Sequence, residues 1–143
     1  MIQREAIYSA LASKLEAIPG IKTFSRKLLL WSDVPAAEQP ALFMACANQT
    51  VVRAAKGLSS VHHLPVKLYL YVSTAGDPKA APSILLNELL DAIEAALEPD
   101  TDEETQTLGG LVSHCWINGD IETDESLLGD QAIAIIPLDI LVP

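Results

Sequence analysis

Residues 65–75 carry the pattern that most restricts the fold: Val66, Leu68, Leu70 and Val72 alternate with Lys67, Tyr69, Tyr71 and Ser73. A strict period of two places successive side chains on opposite sides of an extended backbone, so this segment is a strand with one apolar face. The chain must therefore build a sheet and cover one side of it. The preceding stretch, residues 41–53, keeps the same period, with Leu42, Met44, Cys46, Thr50 and Val52 on one side and Phe43, Ala45, Ala47, Gln49 and Val51 on the other. Its alanine content also admits a helix, but the neighbouring strand favours an extended partner. The two segments pair as a hairpin around residues 54–64. A 13-residue strand reaches roughly 44 Å, well beyond the usual length, which predicts a long hairpin projecting from the body.

Two amphipathic helices supply the cover. Over residues 4–17, Ile7, Leu11, Leu15 and Ile18 recur at helical spacing, and Pro19 and Gly20 end the run. Residues 83–97 follow an Asp77–Pro78 turn. There Leu86, Leu90, Ile93 and Leu97 form one stripe, widened by Leu85, Leu89, Ala92 and Ala96, with Asn87, Asp91, Glu94 and Glu98 opposite. Residues 22–30 have strand character, with Phe24, Arg26, Leu28 and Leu30 on one face, and residues 32–40 with two prolines form a loop. Residues 111–118 and 131–142 read as closing strands, and Pro137, which has no N–H to donate, must lie at an edge or bulge. The expected fold is α/β, more strictly α+β. It is a single domain over residues 1–143 with a mainly antiparallel five-stranded sheet packed by two helices, in the order α-β-β-β-α-β-β.

Half of the 143 residues are hydrophobic, enough for one sizeable core. Cys46 and Cys115 are far apart and suggest neither a disulfide framework nor a thiolate zinc site. The charges at Arg4, Glu5, Lys14 and Glu16 interrupt any apolar run resembling a secretory signal, and no stretch approaches the roughly 20 apolar residues of a membrane span. A soluble protein made in the cytoplasm is expected, with no membrane partner. With 19 acidic against 9 basic residues, the net charge of -10 opposes binding to nucleic acid through phosphate neutralisation. It suits a surface past which DNA slides.

The sequence lacks the nucleophile-elbow, phosphate-loop, zincin and dinucleotide-binding patterns. His62 and His63 are consecutive and would point to opposite faces of a strand, a poor arrangement for shared ligation, and His114 is remote in sequence. No catalytic, cofactor-binding or metal-binding residue is assigned, and no cofactor is expected. Glu98, Asp100, Asp102, Glu103 and Glu104 lack the turn glycine and closing glutamate of a calcium loop and read as a solvated acidic segment. Trp31 and Trp116 suit the core or a subunit contact. On the ribbon, Phe43, Val51, Tyr69 and Tyr71 are the expected interface side chains, with Trp31 as a further anchor.

The order of elements, together with Trp116-Ile117-Asn118-Gly119-Asp120-Ile121-Glu122 and Leu128-Gly129-Asp130-Gln131-Ala132-Ile133-Ala134-Ile135-Ile136-Pro137-Leu138, resembles the tail terminator (tail completion) proteins of long-tailed bacteriophages. Arg4-Glu5-Ala6-Ile7 falls in the short first helix of that layout. The likeness in layout spans most of the chain, and at residue level it covers about residues 108–142. The resemblance implies a virion protein at the head-proximal end of the tail, made in the bacterial host cytoplasm. Such a protein forms a ring, usually of six copies, that caps the tail tube, ends its polymerisation and offers a surface for head-tail joining. Its partners would be itself, the tail tube protein and the head-tail connector protein, with DNA only passing through the channel and the acidic segment at the channel or rim. Two other readings stand beside it: another head-tail neck or completion protein, and a small regulatory α/β domain that binds a metabolite. An enzyme with a site between subunits, drawing on His114, Asp120 and Glu122, is a weaker third.

Overall fold

The computed structural model of the chain describes residues 2–53, 55–75, 77, 79–125 and 130–143. Ala54 of the expected ribbon tip, Pro78 of the expected turn, and Leu128 and Gly129 of the C-terminal stretch lie outside the described residues. In chain order the elements are α1 (Arg4–Glu16), β1 (Thr23–Ser25), two single turns of 3-10 helix (Trp31–Asp33 and Ala36–Glu38), β2 (Ala41–Cys46), β3 (Thr50–Val52), β4 (Val61–His63), β5 (Val66–Ser73), α2 (Pro82–Ala96), β6 (His114–Ile117), β7 (Glu122–Asp124) and β8 (Gln131–Val142).

Eight strands form one mixed sheet, where five in a mainly antiparallel sheet were expected. β1 runs parallel to β2, and the other pairings among the described residues are antiparallel. The register explains the extra strands. β5 faces β8 from Val66 opposite Leu138 to Ser73 opposite Gln131, and β4 continues the same register with His63 opposite Leu141. Between them Leu64 and Ile140 exchange both backbone hydrogen bonds, so β4 and β5 lie on one track along one edge of β8. β2 pairs with β5 and β3 with β4, displaced by one residue across the interruption at residues 47–49. The expected pairing of two successive extended segments is thus present, but the first arm is broken at residues 47–49, and β4 falls within residues 54–64, where the tip was expected. β6 and β7 share the other edge of β8 and are separated by residues 118–121. The strand expected over residues 22–30 is only three residues long.

Both helices pack on one face of this sheet. α1 buries Ile7, Tyr8, Leu11, Ala12 and Leu15, and α2, with proline at its start, buries Leu86, Leu89 and Ile93. Under them lie Leu42, Met44, Val66, Leu68, Leu70, Val72 and the alternate residues of β8 from Ala132 to Val142, the same side chains that the period of two selects. Burying each large side chain here contributes on the order of 1.5–3 kcal/mol.

Pro137 sits in the middle of a strand that is paired on both edges. Even-numbered β8 residues turn their backbone groups towards β5 and β4, so the proline nitrogen turns towards the β6–β7 side, where residues 118–121 interrupt the ladder. Its carbonyl accepts from the Asn118 N–H at 3.0 Å. The bulge therefore lies on the neighbouring strand, opposite the proline's missing donor. Gly119 makes the bulge possible: its φ is +120°, and a Cβ there would meet the Pro137 ring at 3.2 Å.

Candidate assembly surface

The second face of the sheet is only partly covered. Residues 29–39 fold back over one end of it, and Val34, Ala41, Phe43 and Tyr71 form a small separate core with half-buried Tyr69 and Ile133. Phe43 and Tyr71 pack with ring centroids 5.4 Å apart, and the Tyr71 hydroxyl donates to the Leu29 carbonyl at 2.7 Å. Gln39 donates to the Val34 carbonyl at 3.0 Å, closing the covering segment on itself. Phe43 and Tyr71 are therefore not the exposed interface side chains expected of them. The chain's own loop occupies the place given to a neighbouring subunit, because the prolines of residues 32–40 turn it back onto the sheet. The covering loop itself presents apolar side chains: Leu28, Leu29, Leu30 and Trp31 are all exposed.

Of the five proposed ribbon anchors, Trp31, Phe43, Tyr69 and Tyr71 gather at or near this end of the sheet, whereas Val51 lies apart on β3. The far end of the ribbon extends beyond the helices. Val51 is 53% exposed, Val52 49%, Leu58 55% and Val61 38%. Val52, Leu58 and Val61 were not chosen from sequence, because periodicity says which side a residue takes and not whether anything lies over that side. At the ribbon's base, Gln49 accepts from Arg4 at 2.6 Å and donates to the Tyr8 hydroxyl at 3.0 Å, tying the arm to α1. A groove of about 510 Å³ runs there between Ile2, Ile7, Arg53, His62, Leu111 and Val142.

All five acidic residues, Glu98, Asp100, Asp102, Glu103 and Glu104, are exposed. Asp100 has an additional task. Its carboxylate accepts from the Thr107 N–H at 2.8 Å, from the Thr107 hydroxyl at 2.9 and 3.0 Å, and from the Gly109 N–H at 3.4 Å. These donors, the Thr107 N–H foremost, hold its carboxyl below the usual range.

The histidines do not converge. His62 and His63 alternate along β4, and His63 Nδ1 lies 3.8 Å from Asp139 Oδ1. His114 stacks on Trp116 with centroids 4.6 Å apart, and its Nδ1 accepts the Gln106 N–H at 3.0 Å. Asp120 and Glu122 line a small hollow with Lys67, Gly119, Ile135 and Pro137. His114 faces Leu141 while Glu122 faces Ile135, which separates them by six residues of β8, roughly 20 Å. Burial pushes the Cys115 thiol up to about 12, so it stays protonated. Among the described residues no three of His, Cys, Asp and Glu are placed to hold a metal ion. No described helix is long and apolar enough to cross a membrane.

No family model matches the sequence, and no curated protein matches it. A solved structure shares the fold. One chain from the virion of a native gene transfer agent particle aligns with a TM-score of 0.54 over 94% of this chain and 92% of its own length, at 11% identity. A second solved chain aligns over 96% of this chain and 92% of its own, at 17% identity and a TM-score of 0.48. The arrangement of two helices over one face of a mixed sheet is thus shared with a virion chain almost from end to end.

Proposed function

We propose that this chain is a structural virion protein, and within that class a tail terminator. Copies of it form a ring of six that caps the tail tube, ends its polymerisation and offers the surface to which the head connector joins. The observation that carries the reading is an exposed, apolar ribbon end on a fold that a virion chain shares. An edge-exposed hairpin bearing Val51, Val52, Leu58 and Val61 is an aggregation hazard unless a partner covers it, and a protein that works in an assembly has such a partner. The resemblance of residues 108–142 to tail terminator and related tail completion proteins supports the terminator reading among virion components. The acidic segment would line the channel or rim, where a net charge of -10 keeps passing DNA from sticking. In this role the protein is not an enzyme and needs no cofactor.

The decisive test is electron microscopy of the purified chain alone and with cognate tail tubes. Rings of uniform diameter seated at one end of each tube are expected, with loss of seating when Val51, Val52 and Leu58 are changed to serine. A wild-type chain that leaves tubes uncapped and free to elongate sinks the terminator assignment. Rings that bind connectors and ignore tubes would assign the chain to the neck.

A further inference from the structure

The charges of this chain are divided unevenly along its length. Of the 19 acidic residues, 15 lie beyond residue 76, where the only basic residue is Lys79. Residues 39–76, which contain the whole ribbon, have no acidic residue and carry Arg53, Lys56 and Lys67. The ribbon tip thus combines exposed Arg53 and Lys56 with exposed Val51, Val52, Leu58 and Val61.

A complementary surface exists at the other end of the same strand track. Where β5 leaves the sheet and α2 begins, an open groove of about 370 Å³ is lined by Ala75, Ala80, Ala81, Ile84 and Leu85. Ile84 is 64% exposed, the second most exposed large apolar side chain in the described chain. Acidic residues lie along this end of the molecule. Asp77 lines the groove; Glu88 stands one helical turn beyond Ile84 on the same face; Glu125 accepts the Ser83 N–H at 3.0 Å; and Asp130 adjoins Thr74, whose N–H bonds to the Asp130 carbonyl at 2.7 Å. Lys79 is the basic residue beside the groove among the described residues.

We propose that the ribbon tip of one copy docks into this groove of a second copy. The inference rests on the reading that the chain assembles with itself, and it names the two surfaces that meet. Tip and groove lie at opposite ends of the track from Val61 to Ser73, roughly 40 Å apart, so one subunit cannot satisfy itself. The contact is head-to-tail, the kind that closes into a ring when the rotation between copies permits. Apolar side chains supply the buried centre and opposite charges set the orientation and speed the encounter, while like-charged alternatives such as groove on groove repel.

The test uses the full chain in a Cys46→Ser background, with Cys115 left buried. Equimolar Leu58→Cys and Ala80→Cys proteins are mixed under mild oxidation, and Leu58→Cys with Glu16→Cys serves as the random-collision control. Docking raises the effective concentration of the first pair, so its mixed disulfide should form at least about tenfold faster than the control. Arg53→Glu with Lys56→Glu should abolish that excess, and adding Glu88→Lys with Asp130→Lys on the other copy should restore it. Equal rates for both pairs, or an excess that charge reversal leaves unchanged, overturn the proposal. If tubes are still capped by rings in that case, the terminator reading stands and only the docking mode falls. If rings are absent as well, both fall.

Discussion

β4 and β5 lie on one track, in one register, against one strand, yet they live in different surroundings. In β5, Val66, Leu68, Leu70 and Val72 are fully buried. In β4 and the facing β3, Val61, Val51 and Val52 are between 38% and 53% exposed. Pairing with β8 is the same along the track, so it does not explain the contrast. What differs is the face and the neighbours: Val61 and Val52 lie on the face away from the helices, and Val51, which shares the helix-side face with His62, stands on the outermost strand. In this fold the ladder sets where side chains point, and the helices decide which of them contribute to the stability of the isolated subunit.

The contrast can be broken most sharply by truncating one side chain at each end. Leu68→Ala removes a completely buried side chain beneath the helices and should cost about 2–5 kcal/mol in urea or thermal unfolding. Val51→Ser with Val52→Ser should stay within about 0.5 kcal/mol of the parent. A ribbon variant as destabilising as Leu68→Ala would mean that the tip is covered in the free subunit. Next in size is Gly119→Ala. The residue holds a φ of +120° and an added Cβ would press on Pro137, so a loss of about 1–3 kcal/mol is expected. If the loss is absent, the bulge can relax, and the account of how Pro137 fits into an interior strand fails.

A smaller effect tests the second face. Tyr71→Phe deletes only the hydroxyl that donates to the Leu29 carbonyl, which should cost about 0.5–1.5 kcal/mol and raise amide exchange over residues 29–39. Unchanged exchange would show that packing on Phe43 alone holds the covering loop. This loop also marks where the sequence stops being readable. β8 falls on residues 131–142 as its pattern requires, and α2 begins and ends one residue from its expected bounds, because both are defined by the period of their apolar residues. Tyr69 and Tyr71 share a strand face and look alike in sequence, yet one is half-buried and the other almost wholly buried. Their difference comes from a loop some 40 residues earlier in the chain, and no local period encodes it. Phe43 was misjudged for the same reason. The one-residue displacement between the two halves of the ribbon and the three-residue length of β1 are likewise products of tertiary pairing. The exposure of the acidic segment was legible, since crowded like charges favour solvation.

The smallest effect concerns the acidic segment, the third surface region, whose five carboxylates look interchangeable in sequence. They are not equivalent in the fold. Asp102→Asn, Glu103→Gln and Glu104→Gln together should leave stability at neutral pH unchanged, because these groups are solvated before and after folding. Asp100→Asn should lower it slightly, because the carboxylate gathers the Thr107 N–H, the Thr107 hydroxyl and the Gly109 N–H. Those bonds favour the ionised form and depress the folded-state pKa below that of the unfolded chain. A depressed carboxyl pKa means that the unfolded state binds more protons in the acid range. Its contribution is therefore complete above the unfolded pKa and disappears as pH falls through the folded one. Thermal unfolding of the parent and Asp100→Asn proteins should thus differ at pH 7 and converge as the pH drops below the usual carboxylate range, while the triple variant tracks the parent at pH 7. A constant gap between parent and Asp100→Asn at every pH would show that the loop is held by the shape of the side chain and not by its charge.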